Sequence, residues 1–404
     1  MSASVESPFS AVKVSEHVYW VGAVDWGLRD FHGYATQRGT TYNAYLVLGD
    51  KVALIDTVKG PFAKELLARI SSVIEPARID YIISNHAEVD HSGALPEVIA
   101  AVRPEKVFAS TAGVRALADH FHLDREFVAV KDGETLSLGG ATLQFIATPM
   151  LHWPDSMMTY SPEQRLLFSN DAFGMHLASS KRYADEIEHW VLEYEAAKYY
   201  ANILLPLSPV VAKGLEKVKR LGIAIDVIAP SHGPIWRKDP GVIVSWYAGW
   251  AEGAPKKKAV VAYDTMWQST AAMAQAIGDG LSEAGAVVKV LPLRASDRSE
   301  LALELLDAGA LLVGSPTLNN AALPTVVDLL SYLKGLKPRK LVGAAFGSYG
   351  WSGEAVGQIE EALRGMSVEL AAEGMKVRYV PDGQALSGCR AFGRQVGGRI
   401  AGQA

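Results

Sequence analysis

The sequence feature that most restricts the fold is a change of pattern near residue 255. Residues 251–258 read AEGAPKKK, where a glycine and a proline interrupt regular structure and three lysines favour solvent. From there on, short apolar runs alternate with amphipathic stretches, which is typical of a doubly wound parallel sheet. Because 404 residues also exceed the size at which one hydrophobic core usually stops growing, we expect two domains, residues 1–254 and 255–404.

The two parts predict different elements. In the second part the predicted strands are Ala259–Tyr263, Val287–Leu291, Gly309–Val313 and Leu341–Phe346, and the predicted helices are Met273–Ala284, Glu300–Leu306 and Val326–Leu333. The first part mixes strands with occasional helices, which indicates an α/β sandwich with its chemistry in the loops at the strand ends. Its predicted strands are Tyr42–Leu48, Val52–Asp56, Ile79–Ser84, Lys106–Ala109, Glu126–Val130, Thr142–Ala147 and Leu166–Ser169, and its predicted helix is Ala63–Val73. Gly49 and Asp50 predict a hairpin between the first two strands.

Composition and charge exclude several classes of protein. Apolar residues make up 49% of the chain and charged residues 21%, which is ordinary for a folded protein and unlike a disordered one. The Lys and Arg residues are scattered and the net charge is −5, so we expect neither a nucleic acid nor a membrane surface as a partner. No apolar run approaches the roughly 20 residues of a membrane span. Residues 1–20 lack the pattern of a signal peptide.

Cys389 is the only cysteine in the sequence. This excludes an internal disulfide and a cysteine-ligated iron centre, such as the four-cysteine site of a rubredoxin. A metal ion would therefore need histidine and carboxylate ligands, and the expected compartment is the cytoplasm.

A cluster of possible metal ligands follows the predicted strand Ile79–Ser84, where residues 85–91 read NHAEVDH. With three later residues in loops or at strand ends, the candidate ligands are His86, Glu88, Asp90, His91, His152, Asp171 and His232. A single His or Asp at a strand end is usually a hydrogen-bonded loop residue, but the repetition favours metal binding. Seven groups are too many for one ion and suit two ions that share a bridging carboxylate. Imidazole together with carboxylate suits iron, manganese or zinc.

Three loops of the second part predict a flavin site. Residues 264–270 (DTMWQST) carry hydroxyl groups just before a helix, where free backbone N–H groups and the helix dipole favour a phosphate. The loop lacks the lysine of a triphosphate loop and the glycine spacing of a dinucleotide loop, so the monophosphate of a neutral flavin fits better. Alternatively, Ser269 or Thr270 only caps the helix. Residues 314–320 and 347–351 follow the third and fourth strands and flank the crevice where a flavodoxin-like sheet reverses direction.

The residues predicted to bind the flavin come mainly from these loops. They are Thr265, Met266, Ser269, Thr270, Ser315, Pro316, Thr317, Asn319, Gly347, Ser348, Tyr349, Gly350, Trp351 and, from the first part, Trp153. The glycines allow the backbone to approach the ring closely. Tyr349 and Trp351 could pack near the ring or belong to the core, and Trp153 could be a core residue or a wall between flavin and metals.

The spacing His-x-Glu-x-Asp-His at residues 86–91, with a distant His, Asp and His, resembles the metallo-β-lactamase superfamily. Zinc hydrolases of that superfamily usually have His where this sequence has Glu88, and a carboxylate there shifts the preference toward iron. Followed by a flavodoxin-like domain, the motif resembles the flavodiiron proteins over nearly all of residues 10–400. The stretches 25–34 (DWGLRDFHGY), 39–45 (GTTYNAY) and 151–156 (LHWPDS) carry the same resemblance.

The resemblance implies an N-terminal metallo-β-lactamase-like αββα sandwich followed by a C-terminal flavodoxin-like doubly wound parallel sheet. It implies two non-haem iron ions and one FMN per chain, with Asp171, Glu88 and His152 as the catalytic residues. The implied ligands are His86, Glu88 and His152 for one iron, and Asp90, His91 and His232 for the other, with Asp171 as the bridge. In some relatives a water takes the place of His91.

The function implied by the resemblance is reduction of dioxygen to water, or alternatively of nitric oxide to nitrous oxide at the same site. Electrons must come from a separate donor, by the resemblance a rubredoxin, because the chain has no four-cysteine site. The resemblance also implies a head-to-tail homodimer or a dimer of dimers. His32, Tyr199 and Tyr200 fall in family-like stretches that could line a gas pocket, but each one singly is better interpreted as a surface or packing residue.

Two functions of other classes compete with this interpretation. A zinc hydrolase fused to a flavin domain of separate purpose is disfavoured by Glu88, and iron analysis would decide. A pure electron carrier or redox sensor would bind FMN without consuming oxygen when reduced.

Overall fold

The computed structural model describes residues 9–400. The sequence prediction about a signal peptide concerned residues 1–20, of which residues 1–8 lie outside the described residues. The described chain divides into two compact units. The first unit consists of residues up to 32, 36–199 and 209–248, and the second of residues 33–35, 200–208 and those from 249 onward. Within residues 9–400, no helix combines the length and the apolar character needed to cross a membrane.

The part of the chain up to residue 252 forms two main β-sheets with helices beside them. Its strands are β1 (Val12–Lys13), β2 (Val18–Trp20), β3 (Ala23–Asp25), β4 (Asp30–Phe31), β5 (Tyr34–Ala35), β6 (Thr40–Tyr42), β7 (Tyr45–Val47), β8 (Ala53–Ile55), β9 (Tyr81–Ser84), β10 (Lys106–Ser110), β11 (Val128–Val130), β12 (Thr135–Ser137), β13 (Thr142–Ala147), β14 (Met157–Ser161), β15 (Leu166–Asn170) and β16 (Val227–Pro230). Its helices are α1 (Ala63–Ser71), α2 (Val89–Ser92), α3 (Leu95–Val102), α4 (Thr111–Phe121), α5 (His189–Tyr199), α6 (Ser208–Leu221) and α7 (Gly241–Glu252). The strand order is β1-β2-β7-β8-β9-β10-β11 in one sheet and β12-β13-β14-β15-β16 in the other.

Alternation along the strands explains why this unit has layers. In the first sheet Leu46 and Leu54 belong to a core shared with α1, α3 and α4, whereas Tyr45 and Ile55 belong to the core between the two sheets. Successive side chains of a strand point to opposite faces of the sheet, so both faces of this sheet are buried.

Helices also cover the outer face of the second sheet. Leu167 and Ile228 of that sheet line an apolar cavity together with Leu215 of α6 and Val244 of α7. The order of layers is therefore helix, sheet, sheet, helix, and the predicted αββα sandwich is confirmed.

The prediction of a single strand over Tyr42–Leu48 is wrong. The segment forms the end of β6 and all of β7, which lie in different sheets and are separated by residues 43 and 44. Asn43 Nδ2 donates to the carbonyl oxygens of Pro230 and Gly233, which flank His232. These side-chain bonds hold the segment against the loop of a distant candidate ligand, so it cannot continue as one strand. The predicted hairpin is present, because β7 pairs with β8 antiparallel.

The second unit contains a parallel sheet. Its strands are β17 (Lys258–Tyr263), β18 (Val287–Pro292), β19 (Ala310–Gly314), β20 (Thr317–Leu318), β21 (Ala321–Ala322), β22 (Val342–Tyr349), β23 (Glu369–Leu370) and β24 (Met375–Arg378). Its helices are α8 (Ser269–Glu283), α9 (Arg298–Leu305), α10 (Pro324–Leu336), α11 (Glu354–Gly365) and α12 (Gly383–Ile400). The order is β18-β17-β19-β22-β23, with β24 beside β22, and all these pairs are parallel. The predicted doubly wound parallel sheet is confirmed.

Candidate metal centre and flavin site

The loop after β9 is fixed by hydrogen bonds at both of its ends. Asp56 accepts from the backbone N–H of Asn85 at 2.6 Å and from its side-chain amide at 3.1 Å. At the other end, Thr57 Oγ1 donates to the carbonyl oxygen of His91 at 2.7 Å. The four candidate ligands of the loop are buried, with exposed fractions of 1% for His86, 5% for Glu88, 4% for Asp90 and 2% for His91.

Four residues form the first cluster of candidate ligands: His86, Glu88, His152 and Asp171, whose ligand atoms all lie within 4.8 Å of one another. His152 Nε2 lies 3.2 Å from Glu88 Oε2 and 3.3 Å from Asp171 Oδ2. His86 Nε2 lies 3.3 Å from Glu88 Oε2 and 3.7 Å from Asp171 Oδ2.

A second cluster lies beside the first and contains Asp90, His91 and His232. Asp90 Oδ1 lies 3.3 Å from His91 Nε2, and Asp90 Oδ2 lies 3.2 Å from His232 Nε2. Asp171 also reaches this cluster, since its Oδ1 atom lies 3.1 Å from His91 Nε2 and 3.5 Å from His232 Nε2. The two oxygens of Asp171 therefore face different clusters.

The spacing of these atoms fits metal ions. Ligand atoms bound about 2.1 Å from one ion lie about 3.0 Å apart in octahedral and about 3.4 Å apart in tetrahedral geometry. Hydrogen bonding does not account for the arrangement. Among residues 9–400, the buried atoms without a hydrogen-bond partner include His86 Nε2, Glu88 Oε2, His91 Nε2 and both carboxylate oxygens of Asp90 and of Asp171. Such atoms are rare in folded proteins, and a pair of cations would satisfy all of them.

The electrostatics of the clusters also favour cations. Burial opposes protonation of the histidines, but the neighbouring carboxylates raise the pKa of His86 and of His152 to about 10 and that of His91 to about 9. Burial opposes ionisation of Asp171, yet the histidines beside it hold its pKa well below the ordinary value. The carboxylates thus stay ionised and attract positive charge.

Two further residues contact the candidate ligands, although the sequence did not predict either of these contacts. His32 Nε2 lies 3.0 Å from Glu88 Oε1, while 70% of the His32 side chain is exposed. Asp155 Oδ2 accepts a hydrogen bond from His86 Nδ1 at 2.9 Å. Both residues fall in family-like stretches of the sequence, but only the fold brings them to the ligands.

Aromatic side chains surround the clusters. Tyr199 is 2% exposed, and its ring lies 6.3 Å from the ring of His232. The ring of Trp153 lies 5.1 Å from that of His86 and 6.0 Å from that of His152, both edge to face. Trp153 therefore packs against the metal cluster, and its contact with a flavin stays a prediction.

The first predicted flavin loop leads directly into α8. Ser269 and Thr270 are the first two residues of that helix and are buried, and the N-cap position is Gln268. Neither hydroxyl is therefore the N-cap of the helix, which was the alternative interpretation. Thr270 Oγ1 lies 2.9 Å from Ser348 Oγ and so connects the first loop with the third. Within the described residues Thr265 Oγ1 is buried without a hydrogen-bond partner, as expected of a group that awaits a ligand.

The second and third loops lie against each other. Ser315 Oγ accepts from the backbone N–H of Leu323 at 2.9 Å and donates to the carbonyl oxygen of Pro316 at 2.8 Å, so this hydroxyl shapes its own loop. A Cβ atom at Gly347 would lie 2.0 Å from the carbonyl oxygen of Ser315, which explains the glycine at this position. The remaining predicted residues of these loops are Thr317, Asn319, Tyr349 and Gly350.

Exposed apolar side chains accompany these loops. The exposed fractions are 39% for Met266, 88% for Trp267, 87% for Trp351 and 57% for Tyr379. Tyr379 carries no sequence signal, but a Cβ atom at Gly350 would lie 3.3 Å from its ring. Flat apolar side chains beside a helix N-terminus, at the carboxyl ends of parallel strands, fit an aromatic ring that carries a phosphate.

Comparison with known proteins identifies the family of each unit. Residues 40–233 match the ODP family beta lactamase, and residues 261–393 match flavodoxin. The chain is 50% identical over 394 residues to a nitric oxide reductase of Moorella thermoacetica, which covers 96% of this chain and 99% of that protein. Rubredoxin oxygen:oxidoreductase from Desulfovibrio gigas has a similar structure, with a TM-score of 0.96, 43% identity, and coverage of 98% of this chain and 99% of the other. The flavodiiron protein from Giardia intestinalis has a TM-score of 0.95 and 35% identity over 98% of both chains.

A β-lactamase-like unit with two adjacent clusters of candidate metal ligands, joined to a flavodoxin unit, defines an oxidoreductase that combines a metal centre with a flavin. The chain belongs to the flavodiiron protein family. Its cofactors are FMN and a pair of non-haem iron ions, which the chemistry of the two sites fits. The family predicted from the sequence is thereby confirmed.

Proposed function

We propose that the seven clustered residues hold two iron ions. His86, Glu88 and His152 would bind one ion, and Asp90, His91 and His232 the other. The observation that carries this assignment is the position of Asp171, with one carboxylate oxygen 3.3 Å from His152 Nε2 and the other 3.1 Å from His91 Nε2. A carboxylate in that position bridges two ions. His91 is included as a direct ligand because its Nε2 atom is buried, lies beside both Asp90 and Asp171, and lacks a hydrogen-bond partner within residues 9–400.

The preference for iron over zinc rests on Glu88. Its Oε2 atom lies within 3.3 Å of the Nε2 atoms of both His86 and His152, in the position of a ligand rather than of a general base. A second carboxylate beside the bridging one makes the site harder and more anionic, which favours iron. Asp171, Glu88 and His152 are accordingly the residues proposed to be catalytic.

The second proposed domain, residues 255–404, would bind FMN. Its phosphate would lie at the N-terminus of α8 with Thr265, Ser269 and Thr270, and its ring against the loops that carry Gly347 and Trp351. A fragment of residues 255–404 tests both the boundary and this site. It should fold and bind FMN, because its parallel sheet has its own core. A soluble fragment that stays colourless would contradict the cofactor assignment, and an insoluble one the boundary.

The reaction proposed is reduction of dioxygen to water. When bound, reduced FMN and two ferrous ions supply four electrons, which with four protons convert one dioxygen molecule into two water molecules. The chain itself would exclude water from the buried clusters. His32, whose side chain is 70% exposed, would contact Glu88 Oε1 through its Nε2 atom, 3.0 Å away.

A second candidate reaction is reduction of two nitric oxide molecules to nitrous oxide and water with two electrons. It is favoured by the 50% identity to a protein named nitric oxide reductase. Both substrates are small, uncharged and accept electrons at the same kind of site, so the fold does not separate them.

The proposed electron donor is a rubredoxin, in keeping with the name of the Desulfovibrio gigas protein. The proposed assembly is a head-to-tail homodimer or a dimer of dimers, in which the flavin of one chain serves the irons of the other. The cytoplasm is the proposed compartment, supported by a single cysteine that is buried and free.

The decisive experiment measures substrate use directly. The purified protein is reduced anaerobically, and its consumption of dioxygen and of nitric oxide is followed in parallel on one preparation whose iron and FMN contents are known. We expect about two irons and one FMN per chain and fast consumption of dioxygen. A protein that contains both cofactors but consumes neither gas would be an electron carrier instead. Zinc in place of iron, together with hydrolysis, would support the hydrolase alternative.

A further inference from the structure

Besides the proposed ligands, a buried carboxylate contacts the metal centre. Asp155 is 3% exposed and lies three residues after His152 in the same turn. Its Oδ2 atom accepts two hydrogen bonds, from His86 Nδ1 at 2.9 Å and from the backbone N–H of Ala87 at 2.7 Å. One side chain thus connects the segment of one proposed ligand, His152, to the ring of another, His86.

The position of Asp155 is fixed by elements outside the metal centre. Its carbonyl oxygen accepts from Ser110 Oγ at 2.7 Å, and Ser110 also caps α4 by accepting from the backbone N–H of Gly113 at 3.0 Å. In the same turn, the backbone N–H of Trp153 donates to Ser156 Oγ at 3.2 Å. The backbone of Asp155 is therefore held by Ser110, which lies at the end of β10 and caps α4.

This contact determines which nitrogen of His86 is free. The N–H of Ala87 is always a donor, so the oxygen that it contacts must act as an acceptor, and His86 must present a protonated Nδ1 to the same oxygen. In the neutral form of His86, which is the form that binds a metal ion, the lone pair of Nε2 then points toward Glu88 and Asp171.

The histidines of the second cluster are oriented by weaker groups. His232 Nδ1 lies 2.6 Å from the carbonyl oxygen of Thr41, which is neutral. Among the described residues His91 Nδ1 is buried without a hydrogen-bond partner. A carboxylate makes the imidazole that it holds a stronger ligand than a carbonyl group does. The two proposed ion sites therefore differ in how firmly their ligands are set.

We propose that Asp155 is a positioning residue that sets the affinity of the ion site formed by His86, Glu88 and His152, and that it acts little on the other site. The inference rests on the proposed metal centre. It predicts that loss of the Asp155 carboxylate weakens the binding of one ion much more than that of the other. The affected site loses the hydrogen bond that orients His86 and the contact that fixes the turn carrying His152.

The test compares Asp155→Asn and Asp155→Ala with a control, Asp80→Asn, in the full-length protein. Asp80 is a matched control because its Oδ2 atom also accepts from a backbone N–H, that of Val52 at 2.8 Å, but its side-chain partner is Lys51 instead of a proposed ligand. Each protein is loaded anaerobically with isotopically enriched ferrous iron and dialysed against graded concentrations of a chelator. Iron per chain is measured by mass spectrometry, and the two sites are distinguished by Mössbauer spectroscopy.

We expect Asp80→Asn to keep about two irons and to bind each of them as tightly as the wild type does. Asp155→Asn keeps an acceptor oxygen of the same shape but loses the charge, so one iron should bind about 10- to 100-fold more weakly. Asp155→Ala should keep about one iron. Reference spectra of His152→Ala and His232→Ala identify the lost component as the iron bound by His86.

Two results would overturn the inference: unchanged binding of both irons in both variants, or equal weakening of both irons. The second result, together with a lower unfolding midpoint of the iron-free protein, would mean that Asp155 only stabilises the turn. If Asp155→Ala does not fold, the isosteric Asp155→Asn decides alone. A wild type that binds fewer than two irons would instead refute the proposed metal centre itself, which separates the two failures.

Discussion

The two cofactor sites of this protein are built in opposite ways. In the metal centre the loop ligands are at most 5% exposed, and the loop is fixed at both ends by hydrogen bonds, one accepted by Asp56 and the other donated by Thr57. In the flavin site the first and third loops expose Trp267 by 88% and Trp351 by 87%. The protein alone encloses the metal centre, whereas the flavin site presents exposed apolar side chains.

The difference follows from the ligands that each site must accept. Bringing carboxylates and imidazoles together in a buried space is costly unless the scaffold holds them, so the metal centre needs rigid support. A flavin is large and flat and supplies its own apolar surface, so its loops need only a phosphate position and aromatic side chains. Four predictions test this contrast, from the largest expected effect to the smallest.

The largest effect is expected for Asp171→Ala. Without the carboxylate whose oxygens face both clusters, the two ions lose their bridge, so oxygen consumption should fall at least about 100-fold and iron content should fall with it. The flavin spectrum should stay unchanged, because the flavin loops belong to the other unit. Asp226→Ala, which removes an exposed carboxylate of the same unit, serves as the control. Full activity with unchanged iron would remove Asp171 from the site.

The reciprocal change is Ser269→Asp combined with Thr270→Asp. Two carboxylates in the first turn of α8 should repel the FMN phosphate, so the protein should lose its flavin and its donor-driven activity while keeping about two irons per chain. The neutral pair Ser269→Ala with Thr270→Val should weaken FMN binding much less. Flavin and iron analyses of both variants check this. A flavin-loaded Asp variant would place the phosphate elsewhere.

After metal removal, the free energy of unfolding of the first unit should decrease at alkaline pH. Without iron, carboxylates raise the pKa of His86 and His152 to about 10 and that of His91 to about 9, whereas unfolded histidines titrate near pH 6.5. A histidine whose pKa is higher in the folded state than in the unfolded state stabilises the folded protein. This stabilisation is complete below about pH 6.5 and is lost as the pH rises through 9 to 10. Urea unfolding of iron-free and iron-loaded protein at pH 7 and pH 10 measures the effect. Equal losses in both forms would contradict it, because bound iron replaces these protons.

The smallest effect is expected for Trp351→Ala. An exposed aromatic side chain in contact with a flavin ring contributes about 0.5–1.5 kcal/mol beyond its buried area, so FMN should bind up to about tenfold more weakly. Quenching of flavin fluorescence measures the affinity. Trp190→Ala is the control, because Trp190 is an exposed tryptophan too, with an exposed fraction of 59%, but lies in the first unit. Equal affinity of both variants and the wild type would mean that Trp351 does not contact the flavin.

Some features of the fold were predictable because they depend on near neighbours in the chain. The second unit follows its sequence pattern closely, since each predicted apolar run forms a strand of the parallel sheet. β17, β19 and β22 are buried on both faces, whereas the edge strand β18 is partly exposed. The largest shift, the start of α8 at Ser269 instead of Met273, places the hydroxyls of Ser269 and Thr270 in the helix itself. Helix boundaries depend on the path of the preceding loop, which the apolar pattern does not encode.

Other features required the tertiary structure. The break in Tyr42–Leu48 arises because Asn43 bonds to the backbone on both sides of His232, nearly two hundred positions later in the chain. The contact between Asp155 and His86 likewise joins two loops that are distant in sequence. Contacts of this kind leave no local periodicity, so no pattern in the sequence predicts them.

The sequence by itself determined the types of residue available to each site: seven possible ligands without cysteine, and hydroxyls and glycines after successive parallel strands. Only the tertiary structure decided how these residues are shared. It placed one oxygen of Asp171 toward each cluster and left His86 Nε2 free by binding Nδ1 to Asp155. The physical reason is that coordination depends on the direction and separation of atoms to within a few tenths of an ångström, which packing between distant segments sets and composition does not.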